Sequence, residues 1–251
     1  MKRSELNQII GDAVAFCAQM KFLLPPFAHW SLDEWRTKGD GYGEIMDNQM
    51  GWDITDFGSG DFQNIGLLIF VLRNGNFTNR KYVKPYCEKI LIQAESQVLP
   101  SHFHWKKMED IINRGGGNLM VALHNALDDK HADEKTPVRI SMDGRTFEVQ
   151  AGAPLRVKPG ESITLLPRQF HKFWAEPGTS KVLLGEVSTV ADENADNNFL
   201  EHTGRLPEIE EDEKPRYLLF KDYALLKDPA KWPAAWSPSP KAAPRRGKAS
   251  A

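Results

Sequence analysis

Beyond Gly51 the chain is a succession of short apolar stretches cut by Gly, Pro, Asn and Asp, and this cadence limits the fold more than any other feature. Apolar segments recur at residues 65–72, 89–92, 119–123, 139–142, 145–149, 162–166, 172–174 and 182–187. A parallel, doubly wound sheet needs crossover helices of about a dozen residues between strands, and these intervals leave no room for them. Eight or more short strands so spaced predict an all-β sandwich or barrel. Asp143-Gly144, set between two of the segments, predicts a type I′ hairpin. Asn74-Gly75 predicts another tight turn after 65–72, and Pro159-Gly160 marks one before 162–166.

Ahead of the strands, Leu6, Ile9, Ile10, Ala13, Phe16, Cys17 and Met20 recur at spacings of three and four. They predict an amphipathic helix over 4–22, capped by Ser4 and ended by Pro25-Pro26. Ser31 and Glu34 form a capping box with Trp30 and Trp35 at the staple positions, which predicts a second helix of two or three turns ending near Gly39. The expected organisation is therefore a helical segment (1–50) packed on a barrel with a C-terminal strap (51–228), followed by a tail (229–251). The tail has five Pro, five basic residues and no acid, and is expected to be disordered. The rest of the chain carries 27 basic against 34 acidic residues, a net charge of −7, which argues against a nucleic-acid binder. Residues 128–136 read as an exposed loop, and residues 208–213, five acids in six positions, as a solvated face. At 251 residues the chain can hold one large core without disulfide or metal. Cys17 and Cys87 are expected to be reduced and buried, in a cytoplasmic protein without a secretory signal. The longest apolar run, 65–72, is far too short to span a membrane.

The chemistry concentrates in Ser101-His102-Phe103-His104-Trp105-Lys106-Lys107-Met108-Glu109-Asp110. Histidines at i and i+2 point to the same side of a strand, so both imidazoles can meet one ion, and Glu109 can return along the next extended stretch. Imidazoles with a carboxylate suit a divalent first-row metal. A second segment, residues 160–171, passes from Gly160 through a strand and Pro167 to His171.

Together the two segments resemble the paired motifs of the cupin superfamily: His102, His104, Glu109 and Gly115 in the first, Gly160, Pro167 and His171 in the second. Pro167-Arg168-Gln169 lacks the Gly usual in the second motif's turn, and Ala175 stands where a distal Asn is usual. The resemblance implies a cupin-type double-stranded β-helix, a jelly-roll barrel with N-terminal helices, and a metal held by His102, His104, Glu109 and His171. Mn²⁺ is the first expectation, then Fe²⁺, Co²⁺, Ni²⁺ and Zn²⁺. Residues 1–227 are similar more narrowly to the D-lyxose isomerase family, on residues 99–117, on Lys84-Pro85-Tyr86-Cys87-Glu88-Lys89 and on residues 186–201. That resemblance implies a metal-dependent, homodimeric enzyme that interconverts D-lyxose with D-xylulose and D-mannose with D-fructose.

Aldose–ketose isomerisation needs groups that move protons at C1, C2 and their oxygens. Lys107, between the ligands in sequence, is placed to exchange a proton or to hold oxygen anions. Glu201, in the family-like Asn198-Phe199-Leu200-Glu201, is expected as the second acid or base. Asp192, Asp196 and Arg205 are candidates to hold sugar hydroxyls, and Trp105, Phe103 and Trp174 to form an apolar wall. A hydride shift stays open beside the enediol route. Arg114, Arg139, Arg156, Arg168 and Arg205 leave room for a sugar phosphate, and a metal-dependent oxygenase or a non-catalytic sugar-binding cupin are the other readings.

Overall fold

A computed structural model describes residues 1–192, 195–201, 204, 207–226 and 228–237. Among them fourteen strands form two sheets, every ladder antiparallel. The strands are β1 (Gly51–Thr55), β2 (Leu67–Arg73), β3 (Tyr86–Gln93), β4 (Val98–His104), β5 (Glu109–Gly116), β6 (Leu119–Ala126), β7 (Ala132–Asp133), β8 (Val138–Met142), β9 (Arg145–Val149), β10 (Leu155–Val157), β11 (Ser162–Leu165), β12 (Gln169–Ala175), β13 (Val182–Thr189) and β14 (Asn197–Phe199). The larger sheet runs β1-β2-β3-β13-β5-β11-β8-β9, and the smaller runs β10-β6-β12-β4-β14 with β7 on β6. Their facing sides enclose the barrel interior, the expected all-β, cupin-like architecture.

Residues 65–72 read as continuously apolar because both faces of that part of the sheet are covered. Leu67, Ile69 and Val71 face the interior with Leu91 and Leu184. Leu68, Phe70 and Leu72 face outward with Trp52, Ile54, Ile90 and Leu183, under the helix α1 (Arg3–Gln19), which buries Leu6, Ile10, Ala13, Phe16 and Cys17 against them. Both cysteines are buried. The Asp143-Gly144 hairpin forms with both residues at positive φ, 50° and 80°, as a type I′ turn requires. Among the described residues no helix is long and apolar enough to cross a membrane.

Several local expectations are corrected. Helix α1 begins after Lys2, whose backbone N–H donates to Glu5, while Ser4 lies inside the first turn and is bonded to Asp212. The Ser31–Glu34 capping box forms, and Trp30 packs on Trp35 with centroids 4.9 Å apart. That helix, α2 (Leu32–Trp35), is a single turn, followed by α3 (Gly43–Asp47), which periodicity did not reveal. Asn74-Gly75 makes no tight turn: the buried Asn74 amide is drawn to Asn48 and Ala191, and residues 74–85 join the paired β2 and β3 by a longer connection. The acidic run is mostly exposed, as expected, but Glu211 turns in to the buried Arg3, and Asp212 and Glu213 bond Ser4 and Asn7 of α1.

The first residues of the expected tail are ordered, in 3-10 turns at Pro229–Lys231 and Ala234–Trp236. Trp236 is fully buried and donates its indole N–H to Glu211 at 2.7 Å. One large ring with a donor tip anchors a segment whose composition alone predicts no core. Residues 238–251 lie outside the described residues.

Candidate active site

Strand alternation and register assemble the site. On β4, His102 and His104 point inward, and His171 of β12 stands opposite His102. Glu109 opens β5, between Leu165 of β11 and Ser188 of β13. The link between β4 and β5 carries Lys107, and Asp196 pins it by accepting the backbone N–H groups of Lys106 and Lys107, each at 2.9 Å. In the turn before β12 Arg168 itself adopts the left-handed conformation (φ 61°). Its N–H donates to His104 O at 2.9 Å, tying the turn to the end of β4.

His102 Nε2 and His171 Nε2 are 3.0 Å apart, and Glu109 Oε1 is 3.3 Å from His104 Nε2 and 3.4 Å from His171 Nε2. The Nδ1 atoms of His102 and His171 each lie 2.9 Å from a backbone carbonyl, of Pro100 and Gln169, which assigns both rings as Nδ1–H donors. Their Nε2 lone pairs therefore face each other, an arrangement that a cation relieves. Nitrogen and oxygen atoms about 2.1 Å from one ion lie roughly 3.0–3.4 Å apart, as these do. His104 Nδ1 is buried without a hydrogen-bond partner. Burial first, then the neighbouring imidazoles, holds His102 well below the usual histidine range, and burial lowers His171 to about 4. Both rings are thus neutral and ligand-competent at pH 7. Burial alone would raise the Glu109 carboxyl, but Lys107 and then His104 and His171 outweigh it and hold the group well below its ordinary range. Three imidazoles and an ionised carboxylate fit a divalent first-row ion.

These residues open on a cavity of about 220 Å³. A buried ionic chain continues from them. Lys107 Nζ is 2.5 Å from Glu109 Oε2, out of hydrogen-bond alignment, and donates to Glu186 Oε1 at 2.7 Å. Lys89 Nζ donates to the same oxygen at 2.9 Å from directly across the β3–β13 ladder. Glu186 Oε2 receives no hydrogen bond from a described residue. Asp53 and Thr55 of β1 complete the polar lining. Among the described residues the lining holds three carboxylates and two amino groups, whose formal charges sum to one negative and also favour a cation. Phe199 stacks on His102 and Phe173 on His171, with Phe57 against Phe199. Overhead, Gly58 and Gly204 meet so closely that a Cβ on Gly58 would lie 2.7 Å from the Gly204 Cα.

His102, His104, Lys107, Glu109 and His171 thus come together as the sequence predicts, and the other expected residues do not. Glu201 is exposed beyond β14. The Asp196 carboxylate is committed to the backbone of the Lys107 link, and Asp192 lines a separate polar hollow with Asp47, Asn48 and Asn74. Trp105 and Phe103 pack together on the outside of the smaller sheet under Arg168, because inward histidines at 102 and 104 turn 103 and 105 outward. Trp174 faces out likewise, and Phe173, Phe199 and Phe57 form the apolar wall instead. Arg205 lies outside the described residues. Lys89, Glu186 and Asp53 were missed; their signal is one charged side chain on the inward face of each strand.

The family model described as D-lyxose isomerase matches residues 1–223. The D-lyxose/D-mannose isomerase of Serratia proteamaculans is 48% identical over 224 residues, 89% of this chain and 98% of that protein. The protein of the same description from Escherichia coli O157:H7 is 45% identical over the same shares. Among solved structures, L-ribose isomerase of Cellulomonas parahominis with L-ribose aligns at a TM-score of 0.55 and 15% identity, over 84% of this chain and 98% of that one, a likeness of fold. A match over most of the chain, with relatives near half identity, establishes that this aldose–ketose isomerase belongs to the D-lyxose isomerase family.

Proposed function

We propose that the protein interconverts D-lyxose with D-xylulose, and D-mannose with D-fructose, by moving protons between C1 and C2 of the open-chain sugar. The observation that carries this reading is the pairing of Lys107 with Glu186 at 2.7 Å beside the three-histidine group in one buried cavity. The names of the two bacterial relatives supply the sugars. A divalent ion on His102, His104, Glu109 and His171, Mn²⁺ before Fe²⁺, Co²⁺, Ni²⁺ or Zn²⁺, would supply Lewis-acid polarisation of the oxygens on C1 and C2.

The remaining chemistry belongs to the chain. Lys89 and Lys107 hold the Glu186 carboxylate by Oε1, leaving Oε2 to act. In the aldose-to-ketose direction Oε2 takes the proton from C2 while the Lys107 ammonium gives one to O1, which produces the enediol. Glu186 then returns its proton at C1 and Lys107 recovers one from O2, so both groups end as they began. The phenylalanine rings keep water from the reacting carbons. No arginine lines the cavity among the described residues, and Arg156 and Arg168 pair with Glu176 and Asp129 elsewhere, which favours free sugars over phosphorylated ones.

Metal-stripped protein, reconstituted with Mn²⁺ in deuterated water, tests this. Ketose should form from D-lyxose and D-mannose only with the ion, not from their phosphates, and should carry deuterium at C1. No ketose from protein holding one divalent ion per chain would overturn the isomerase chemistry. Ketose with no solvent deuterium at all would replace proton transfer by a hydride shift.

A further inference from the structure

The proton transfers leave one charged group of the cavity unused. Asp53 is 5% exposed and lies on β1, the edge strand of the larger sheet. Its neighbours Trp52 and Ile54 face outward beneath α1, so Asp53 and Thr55 face the interior by alternation, and both line the cavity. Asp53 and Thr55 have interactions of their own within the chain, and their place on the cavity wall offers them to a bound ligand besides.

Its position within the sheet says which part of a ligand it faces. The reacting end is built on β4, β12, β5 and β13. From β13, β3 contributes Lys89 and Leu91, β2 contributes only Leu67 and Ile69, and β1 then returns to polar residues. Strands lie about 4.8 Å apart, so β1 is roughly 14 Å from β13 along the curved sheet. The cavity therefore has two polar ends joined by an apolar belt, which suits a chain molecule that reacts at one end and carries a hydroxyl at the other.

We propose that Asp53, with Thr55 beside it, binds the terminal hydroxyl group of a six-carbon sugar and so sets the preference between hexose and pentose. This rests on the reading above, in which C1 and C2 lie against Glu186 and Lys107. Asp53 also acts on Lys221 of the C-terminal strap, whose ammonium is pushed down by burial and held up by Asp222 and Asp53. A role through the strap is therefore the rival to exclude.

The test is a cycle of variant and substrate. The wild type, Asp53→Ala, Asp53→Asn, Thr55→Val and Lys221→Met are each assayed with D-mannose, 6-deoxy-D-mannose and D-lyxose. Asp53→Ala should raise the KM for D-mannose about tenfold or more, the scale of a lost hydrogen bond to a charged group, with little change in kcat. Thr55→Val should act the same way more weakly, and D-lyxose should be affected least. Removing the 6-hydroxyl should cost the wild type a similar factor and cost Asp53→Ala nothing further. Three results overturn the proposal: penalties that multiply, a fall in kcat at constant KM, or a KM shift reproduced by Lys221→Met. If Asp53→Ala does not fold, Asp53→Asn, which keeps the shape and loses the charge, carries the same cycle. A wild type that turns over none of the sugars defeats the underlying reading of the site. An active wild type with multiplicative penalties defeats only the role of Asp53.

Discussion

Two buried ionic clusters lie in different parts of this molecule, and they are built to opposite specifications. At the join of α1 with the C-terminal strap, the fully buried Arg3 donates to Glu211 at 2.8 and 2.6 Å and to Asp222 at 3.0 and 3.1 Å, and its guanidinium lies over Trp236. Trp236 and the backbone N–H of Leu219 donate back to the same two carboxylates. One guanidinium faces two carboxylates, but hydrogen-bonding capacity is filled on both sides, and the cluster fastens residues more than 200 positions apart. In the cavity, by contrast, two imidazole lone pairs face each other, His104 Nδ1 has no partner, and Glu186 is held by one oxygen only. A saturated buried network holds a fold, whereas one that keeps open valences is poised for a ligand.

Breaking each cluster in turn should separate activity from stability. The largest loss of activity is expected from His104→Ala, which should abolish turnover and lower bound metal; normal turnover with full metal would remove His104 from the ligand set. Glu186→Gln and Lys107→Ala should each cut kcat per folded molecule by about 10²-fold or more, the scale of positioned proton transfer, with metal content retained. A near-wild-type rate for either removes that residue from the mechanism. Arg3→Met should do the reverse. Losing one partner of a buried ion pair costs about 3–5 kcal/mol, so unfolding should come at lower denaturant while kcat per folded molecule stays unchanged. If Arg3→Met lowered kcat in folded protein, the division between holding and reacting would not stand.

The sequence showed these clusters unequally. The barrel was legible because turn residues at short intervals exclude crossover helices, and three metal-facing residues were legible because their chemistry is local: His102, His104 and Glu109 span eight positions. The rest of the cavity is not local. Lys89 and Glu186 meet across a ladder from 97 positions apart, and each is a single charge on the inward face of its strand, which a window average hides. Asp196 shows the converse difficulty. Asp in a loop reads equally as a sugar ligand or a backbone acceptor, and only the fold shows both its oxygens on the Lys107 link. The Arg3 clamp was invisible for the same reason of distance, since nothing near residues 208–213 in sequence shows that Glu211 turns in to a buried guanidinium.

Acid should distinguish the two clusters by sign as well as by size. In the unfolded chain the His171 imidazole takes a proton near pH 6.5, but in the folded metal-free protein burial delays this to about pH 4. Between those values the unfolded state holds the extra proton, so stability falls as pH drops through the window, by on the order of 3 kcal/mol, and His102 shifts in the same direction. Asp222 in the clamp behaves oppositely. Burial, against the pull of Arg3, raises its carboxyl above the ordinary aspartate range, so the folded state binds that proton first and mild acid favours it. Urea unfolding of metal-stripped protein at pH 7 and pH 5 should therefore show the wild type losing stability, and His171→Gln losing measurably less. An equal loss in both would mean that the open cluster does not carry the acid sensitivity, and that the Arg3 clamp, contrary to its geometry, is the first to yield.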